Sequence, residues 1–172
     1  MRTIPHHPHL QVTIPYDILL LLRKDAYQRR VMEACGILLG ERDETGNWHV
    51  RDIQPLQNIT ASAVYFEFAP EELLEAELTY PDQIIGVYHS HPTGYPQASN
   101  IDRQNMQRVN LDEDIPWVWL ILCGPFNEKT LQDTKIGTVL AYYHDITTGL
   151  QRVTMHLESP SQLDSSDDQE TH

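Results

Sequence analysis

Residues 89–102 read His-Ser-His-Pro-Thr-Gly-Tyr-Pro-Gln-Ala-Ser-Asn-Ile-Asp, and the rest of the chain is read outward from them. His89 and His91 stand two residues apart; Asp102 follows, with Ser99 three positions before it. Side chains at i and i+2 of a strand point to one side, so a strand ending here presents both imidazoles together. Gly94 and Pro96 permit the reversal that brings a third group back to them. Two histidines and one carboxylate match a catalytic zinc that keeps its fourth position open for water. Each piece has a plainer reading alone. Ser-x-x-Asp resembles a helix capping box, and His-x-His is common without metal. Together, behind an apolar strand, they point to a metal site, and Ser99 can both start a helix and face that site.

Around this stretch the pattern is mixed. Residues 84–88 are apolar and β-branched, a central strand that delivers His89. A helix is expected from Ser99 to about Val109, then an apolar strand over 117–122. Upstream, residues 11–14 form a short strand, and a helix runs from 15 to about 30 with Pro15 at its first position. A buried strand over 33–40 and a returning strand over 48–56 flank a turn at 43–47. Residues 64–68 read as another strand, and Pro70 opens an acidic helix over 71–78. A hairpin of 136–143 and 150–157 closes the domain around 145–149. The expectation is one α/β domain over 10–157, preceded by a loose leader (1–9) and followed by an acidic, disordered tail (158–172).

A chain of 172 residues, 40% hydrophobic and 22% charged, is long enough for a sizeable core. Its longest apolar run, residues 18–22, is far short of the roughly 20 residues of a membrane span. The first residues lack an apolar signal core, so a cytoplasmic protein is expected. The net charge is -13; five of the 25 acids lie in the tail, and the other 20 face 12 Lys and Arg. Such a surface is a poor match for nucleic-acid phosphates. Cys35 and Cys123 sit in apolar surroundings and are expected as reduced, buried thiols. His6, His7 and His9 form a second histidine cluster, read as incidental.

Hydrolysis at such a site needs a general base. The chain has no His-Glu-x-x-His, so the base must come from elsewhere. Glu33 opens an otherwise apolar stretch, Ala34-Cys35-Gly36-Ile37-Leu38-Leu39-Gly40. Local sequence leaves two readings open: a solvent-exposed end to the preceding helix, or the missing base.

The pattern Glu33…His89-x-His91-Pro92-x6-Ser99-x2-Asp102 resembles the JAMM motif of the MPN-domain metalloproteases, and the context Glu-x-Cys-Gly-x-Leu-x-Gly is similar too. The resemblance implies an MPN, cytidine deaminase-like fold: a curved, mostly antiparallel β-sheet packed between helices. It implies that His89, His91 and Asp102 bind one zinc, Glu33 is general acid/base and Ser99 stabilises the oxyanion. It further implies cleavage of the peptide or isopeptide bond after the Gly-Gly tail of a ubiquitin-like or sulfur-carrier protein. Residues 61–68 and 93–97 are candidates for the groove holding that tail. No second Cys/His cluster follows the motif, which suits the compact prokaryotic type. The alternative is an inactive MPN scaffold for protein–protein contacts, a state usually marked by lost ligands. A deaminase would need His-x-Glu together with Pro-Cys-x-x-Cys, and the chain has no Pro-Cys-x-x-Cys. Oligomeric state and substrate identity stay open.

Overall fold

In the segment Val118–Cys123, Val118, Leu120 and Leu122 join one buried cluster, while Trp119 and Ile121 join another. A strand apolar on both faces must be covered on both. That requirement organises the computed structural model, which describes residue 4, residues 6–133 and residues 138–159. The elements are β1 (His6–Pro15), α1 (Tyr16–Gln28), β2 (Cys35–Arg42), β3 (Trp48–Leu56), α2 (Pro70–Thr79), β4 (Ile84–His91), α3 (Asn100–Gln107), β5 (Val118–Cys123), α4 (Glu128–Leu131), β6 (Val139–Asp145) and β7 (Gly149–Glu158). A single π turn, Arg108–Asp112, extends α3.

The strands close into a barrel in the order β1-β3-β2-β4-β5-β6-β7. β1 pairs in parallel with both β3 and β7, and β4 pairs in parallel with β5; the other neighbours are antiparallel. The sheet is therefore mixed, and closure removes its open edges. One cluster packs Ile18, Leu19, Leu22 and Ala26 of α1 against Val12, Leu38 and Leu120. The other packs Met106 of α3 and Ala76 of α2 against Ile37, Val87 and Ile121. β4 lies between β2 and β5, so its two faces look into both clusters.

Several expectations shift. β1 reaches back to His6, which pairs with Arg152, so part of the expected leader is strand. Pro15 is the N-cap of α1, not its first turn, because its last strand rung pairs with Glu158. Glu33 precedes β2, which starts at Cys35. Residues 64–68 make one bridge, Asn58 to Phe68, instead of a strand. Their alternation reflects Phe66 and Phe68 turning together toward the core (ring centroids 5.4 Å apart), without a ladder partner. The turn at 145–149 is held by Asp145, which accepts from Thr147 and Thr148. Ile136, the tail beyond residue 159 and the side chains of His6 and His7 lie outside the described residues. Among the described residues no helix is long and apolar enough to cross a membrane.

One buried polar network locks α1 onto the barrel. Arg29 grips both carboxylate oxygens of Asp25 at 2.7–2.8 Å and donates to the carbonyls of Leu56 (2.6 Å) and Cys35 (2.7 Å). The Tyr88 hydroxyl donates to Asp25 Oδ2 at 2.7 Å. Arg29→Met strands the Asp25 carboxylate and two carbonyls, and is expected to lower stability by about 3 kcal/mol. Chemical denaturation checks this; a loss under about 1 kcal/mol contradicts the network's assigned role.

Candidate metal centre

His89 and His91 share the face of β4 that carries Val87, while Tyr88 faces α1 on the other side. Both histidines are buried. The chain then reverses: Gly94 takes φ +82°, a left-handed conformation natural to glycine, and its amide donates to the His91 carbonyl. Ser99 caps α3 in a full capping box. Its Oγ accepts from the Asp102 amide (3.1 Å), and its own amide donates to Asp102 Oδ2 (2.8 Å). The capping signal thus delivers the carboxylate to the histidines. Glu33 lies in the irregular stretch before β2, where its amide donates to the Ser62 carbonyl at 2.7 Å. The following residue exchanges two bonds with Ser90: the Ala34 amide donates to Ser90 Oγ (2.8 Å), and the Ser90 amide donates to the Ala34 carbonyl (2.9 Å).

Glu33, His89, His91 and Asp102 bring one candidate ligand atom each within 4.8 Å of one another, all buried. His89 Nε2 and His91 Nε2 are 3.2 Å apart, and each lies 3.1 Å from a different oxygen of Asp102. Bonds of about 2.0–2.1 Å at tetrahedral angles place zinc ligand atoms ~3.3 Å apart, so this triangle has the right dimensions. Glu33 Oε1 stands outside it, 3.9 Å from His89 and 3.8 Å from His91. His91 Nδ1 contacts the Tyr95 carbonyl at 2.9 Å, the bond that leaves Nε2 free to coordinate. Among the described residues, Glu33 Oε2 and His89 Nδ1 are buried without a hydrogen-bond partner. Two carboxylates and two neutral imidazoles carry a charge that one divalent cation balances.

The metal-free electrostatics carry the same imprint. Burial pushes the Glu33 carboxyl up to about 7, with His91 pulling it down and Asp102 pushing it up. Burial would also raise Asp102, but hydrogen bonds with His89 and His91 and the Ser99 amide hold it well below the usual carboxylate range. Burial lowers His89 despite Asp102. His91 is raised: burial opposes this, but its bonds to Asp102 and the Tyr95 carbonyl prevail. Burial also pushes the thiols up, Cys35 to about 12 and Cys123 to about 11, far from thiolate chemistry at neutral pH.

The structure brings together Glu33, His89, His91 and Asp102, and places Ser99 beside them through its cap. Three contributors were not legible in the sequence. Phe66 stacks on the His89 ring (centroids 4.6 Å apart), the Tyr95 carbonyl orients His91, and Asn58 holds the Glu33 carbonyl at 3.0 Å. Phe66 and Tyr95 fall in the segments expected to form the groove, without any mark of their contacts to the histidines, and Asn58, just past an apolar strand end, reads as an ordinary turn.

Raising a carboxyl from its ordinary 4.5 to about 7 has a definite sign. The folded state keeps the proton that the unfolded chain loses, so metal-free protein loses stability as pH rises from about 4.5 to 7. Metal-free Glu33→Gln is therefore expected to exceed wild type by on the order of 2–3 kcal/mol at pH 8, the gain fading toward pH 4.5. Denaturation of chelated protein at both pH values measures it; no gain at pH 8 contradicts the burial assigned to Glu33.

Comparison with known proteins agrees with this geometry. The family described as prokaryotic homologs of the JAB domain matches residues 15–137. A desampylase of Haloferax volcanii is 38% identical over 105 residues, covering 59% of this chain and 68% of that protein. A desampylase of Pyrococcus furiosus is 33% identical over 102 residues, covering 57% and 61%. The solution structure of protein DSY2949 from Desulfitobacterium hafniense superposes with a TM-score of 0.65, covering 87% of this chain and 93% of that one; at 23% identity this speaks to the fold alone. The match runs from α1 to α4, takes in β2 to β5 and all five motif positions, and covers well over half of the chain, so the chain belongs to the prokaryotic homologs of the JAB domain, the JAB/MPN group.

Proposed function

We propose that this chain is a zinc-dependent isopeptidase that cleaves after the Gly-Gly tail of a ubiquitin-like or sulfur-carrier protein. The observation that carries the reading is the donor triangle of His89, His91 and Asp102 with Glu33 one step outside it. A JAMM-type hydrolase needs that division: three ligands, plus a carboxylate free to move a proton. The similarity to two desampylases supports an isopeptide substrate.

In this reading a bound zinc supplies Lewis acidity, making a water more acidic and polarising the scissile carbonyl. Glu33 takes the proton as the water oxygen bonds to the carbonyl carbon. It then delivers that proton to the leaving amine as the C–N bond breaks, giving a carboxylic acid and a free amine. Burial raises the proton affinity of the Glu33 carboxylate in the metal-free site, which favours its taking the proton from the water. Ser99 Oγ already accepts the Asp102 amide, and its own O–H donates to the developing oxyanion.

The two segments expected to form the groove each contribute an aromatic ring beside one histidine. Phe66 stacks on His89, and Tyr95 lies 6.0 Å from His91 between ring centroids. Beyond Phe66 a cavity of about 280 Å³ is lined by Phe68, Leu73 and Trp119 together with Glu67, Glu77 and Arg108. The tail is assigned to this side, because glycines reach a crowded metal without a side chain and the residues before them gain a pocket of mixed apolar and charged lining.

Glu33→Gln is expected to keep one zinc per chain and lose cleavage of a ubiquitin-like fusion by about 10²–10⁴-fold. Full activity in that variant, insensitive to chelator, contradicts the proposal. His89→Ala, made with His6, His7 and His9 replaced, is expected to lose the zinc. Unchanged stoichiometry rejects the ligand assignment.

A further inference from the structure

The carboxylate of Glu33 has one oxygen without a partner among the described residues, and the other is nearly 4 Å from each histidine. Its position therefore depends on how its backbone is held. That backbone lies outside any strand ladder. Its amide is taken by the Ser62 carbonyl and its carbonyl by Asn58 Nδ2.

Asn58 is 3% exposed and its side chain makes five hydrogen bonds. Nδ2 donates to the carbonyls of Glu33 and Tyr65, both at 3.0 Å. Oδ1 accepts from the Thr60 amide (3.1 Å), the Thr60 hydroxyl (2.7 Å) and the Glu67 amide (3.2 Å). The side chain therefore has two separable halves. The acceptor half closes the loop from Thr60 to Glu67. The donor half fastens that loop to Glu33. The same loop carries Ser62, which receives the Glu33 amide, and Phe66, which covers His89.

We infer that Asn58 is a positioning residue that registers the Glu33 carboxylate against the histidine pair through the loop of residues 59–67. None of its side-chain hydrogen bonds reaches the histidines or Asp102, so its direct link to the site is to Glu33, and its only route to His89 is through the loop that carries Phe66. The inference rests on the proposed role of Glu33 and adds a residue to it.

Asn58→Asp separates the two halves: it keeps an acceptor for Thr60 and Glu67 but loses the donor to Glu33 and Tyr65. In zinc-loaded protein it is expected to keep its zinc, to lower kcat by about 10- to 100-fold and to leave KM within about threefold. Asn58→Ala removes both halves and is expected to change kcat and KM together. Hydrogen exchange supplies a readout independent of cleavage. In Asn58→Asp the Glu33 amide is expected to exchange faster while the Thr60 and Glu67 amides stay protected. Unchanged kcat, a loss of rate that follows loss of zinc or of folded protein, or unchanged exchange at Glu33 would overturn the inference. An inactive wild type would instead overturn the isopeptidase reading, and the exchange result would then decide this one by itself.

Discussion

Two carboxylates and two imidazoles are buried in a space where their ligand atoms lie within 4.8 Å of one another. Unbalanced charge in such a place is costly, and the metal-free protein meets the cost by holding a proton on Glu33 up to about 7. A divalent cation removes the conflict by giving the lone pairs of His89, His91 and Asp102 a common target. The surrounding architecture is best understood as what keeps these four groups from relaxing apart.

Three independent pieces of backbone hold them. β4, the strand between β2 and β5, supplies both histidines and cannot shift without breaking two ladders. The capping box of α3 aims Asp102, so the helix's first turn also sets the carboxylate's place. Glu33 sits in irregular chain, tied to β4 by the bonds between Ala34 and Ser90 and to α1 through the grip of Arg29 on Cys35. The proposed ligands are on regular elements, and the proposed proton carrier is in irregular chain. That division suits a base, whose required position is set by a proton path as much as by a coordination geometry.

The site was more legible in the sequence than the barrel around it. His89, His91, Asp102 and Ser99 are close in sequence, and their chemistry follows from strand alternation and capping, two short-range rules. Glu33 needed the family resemblance, because its local setting fits a helix end as well as an active site. The barrel's closure was hidden, since the parallel pairing of β1 with β7 joins the two ends of the domain. Residues 64–68 misled because Phe66 and Phe68 alternate like a strand while Asn58, not a neighbouring ladder, satisfies the loop. The Asp25–Arg29–Tyr88 network was equally silent: a helical Asp and Arg four apart look like a surface pair until Tyr88 arrives from β4.

The central claim is that three residues bind the metal while Glu33 stays outside its coordination sphere. X-ray absorption at the zinc edge, recorded on wild type and Glu33→Gln with His6, His7 and His9 replaced in both, tests it most directly. The account predicts the same sphere in both proteins: two imidazole nitrogens, light oxygen donors and no sulfur. A ligand lost in Glu33→Gln, or a sulfur ligand in either, would contradict it.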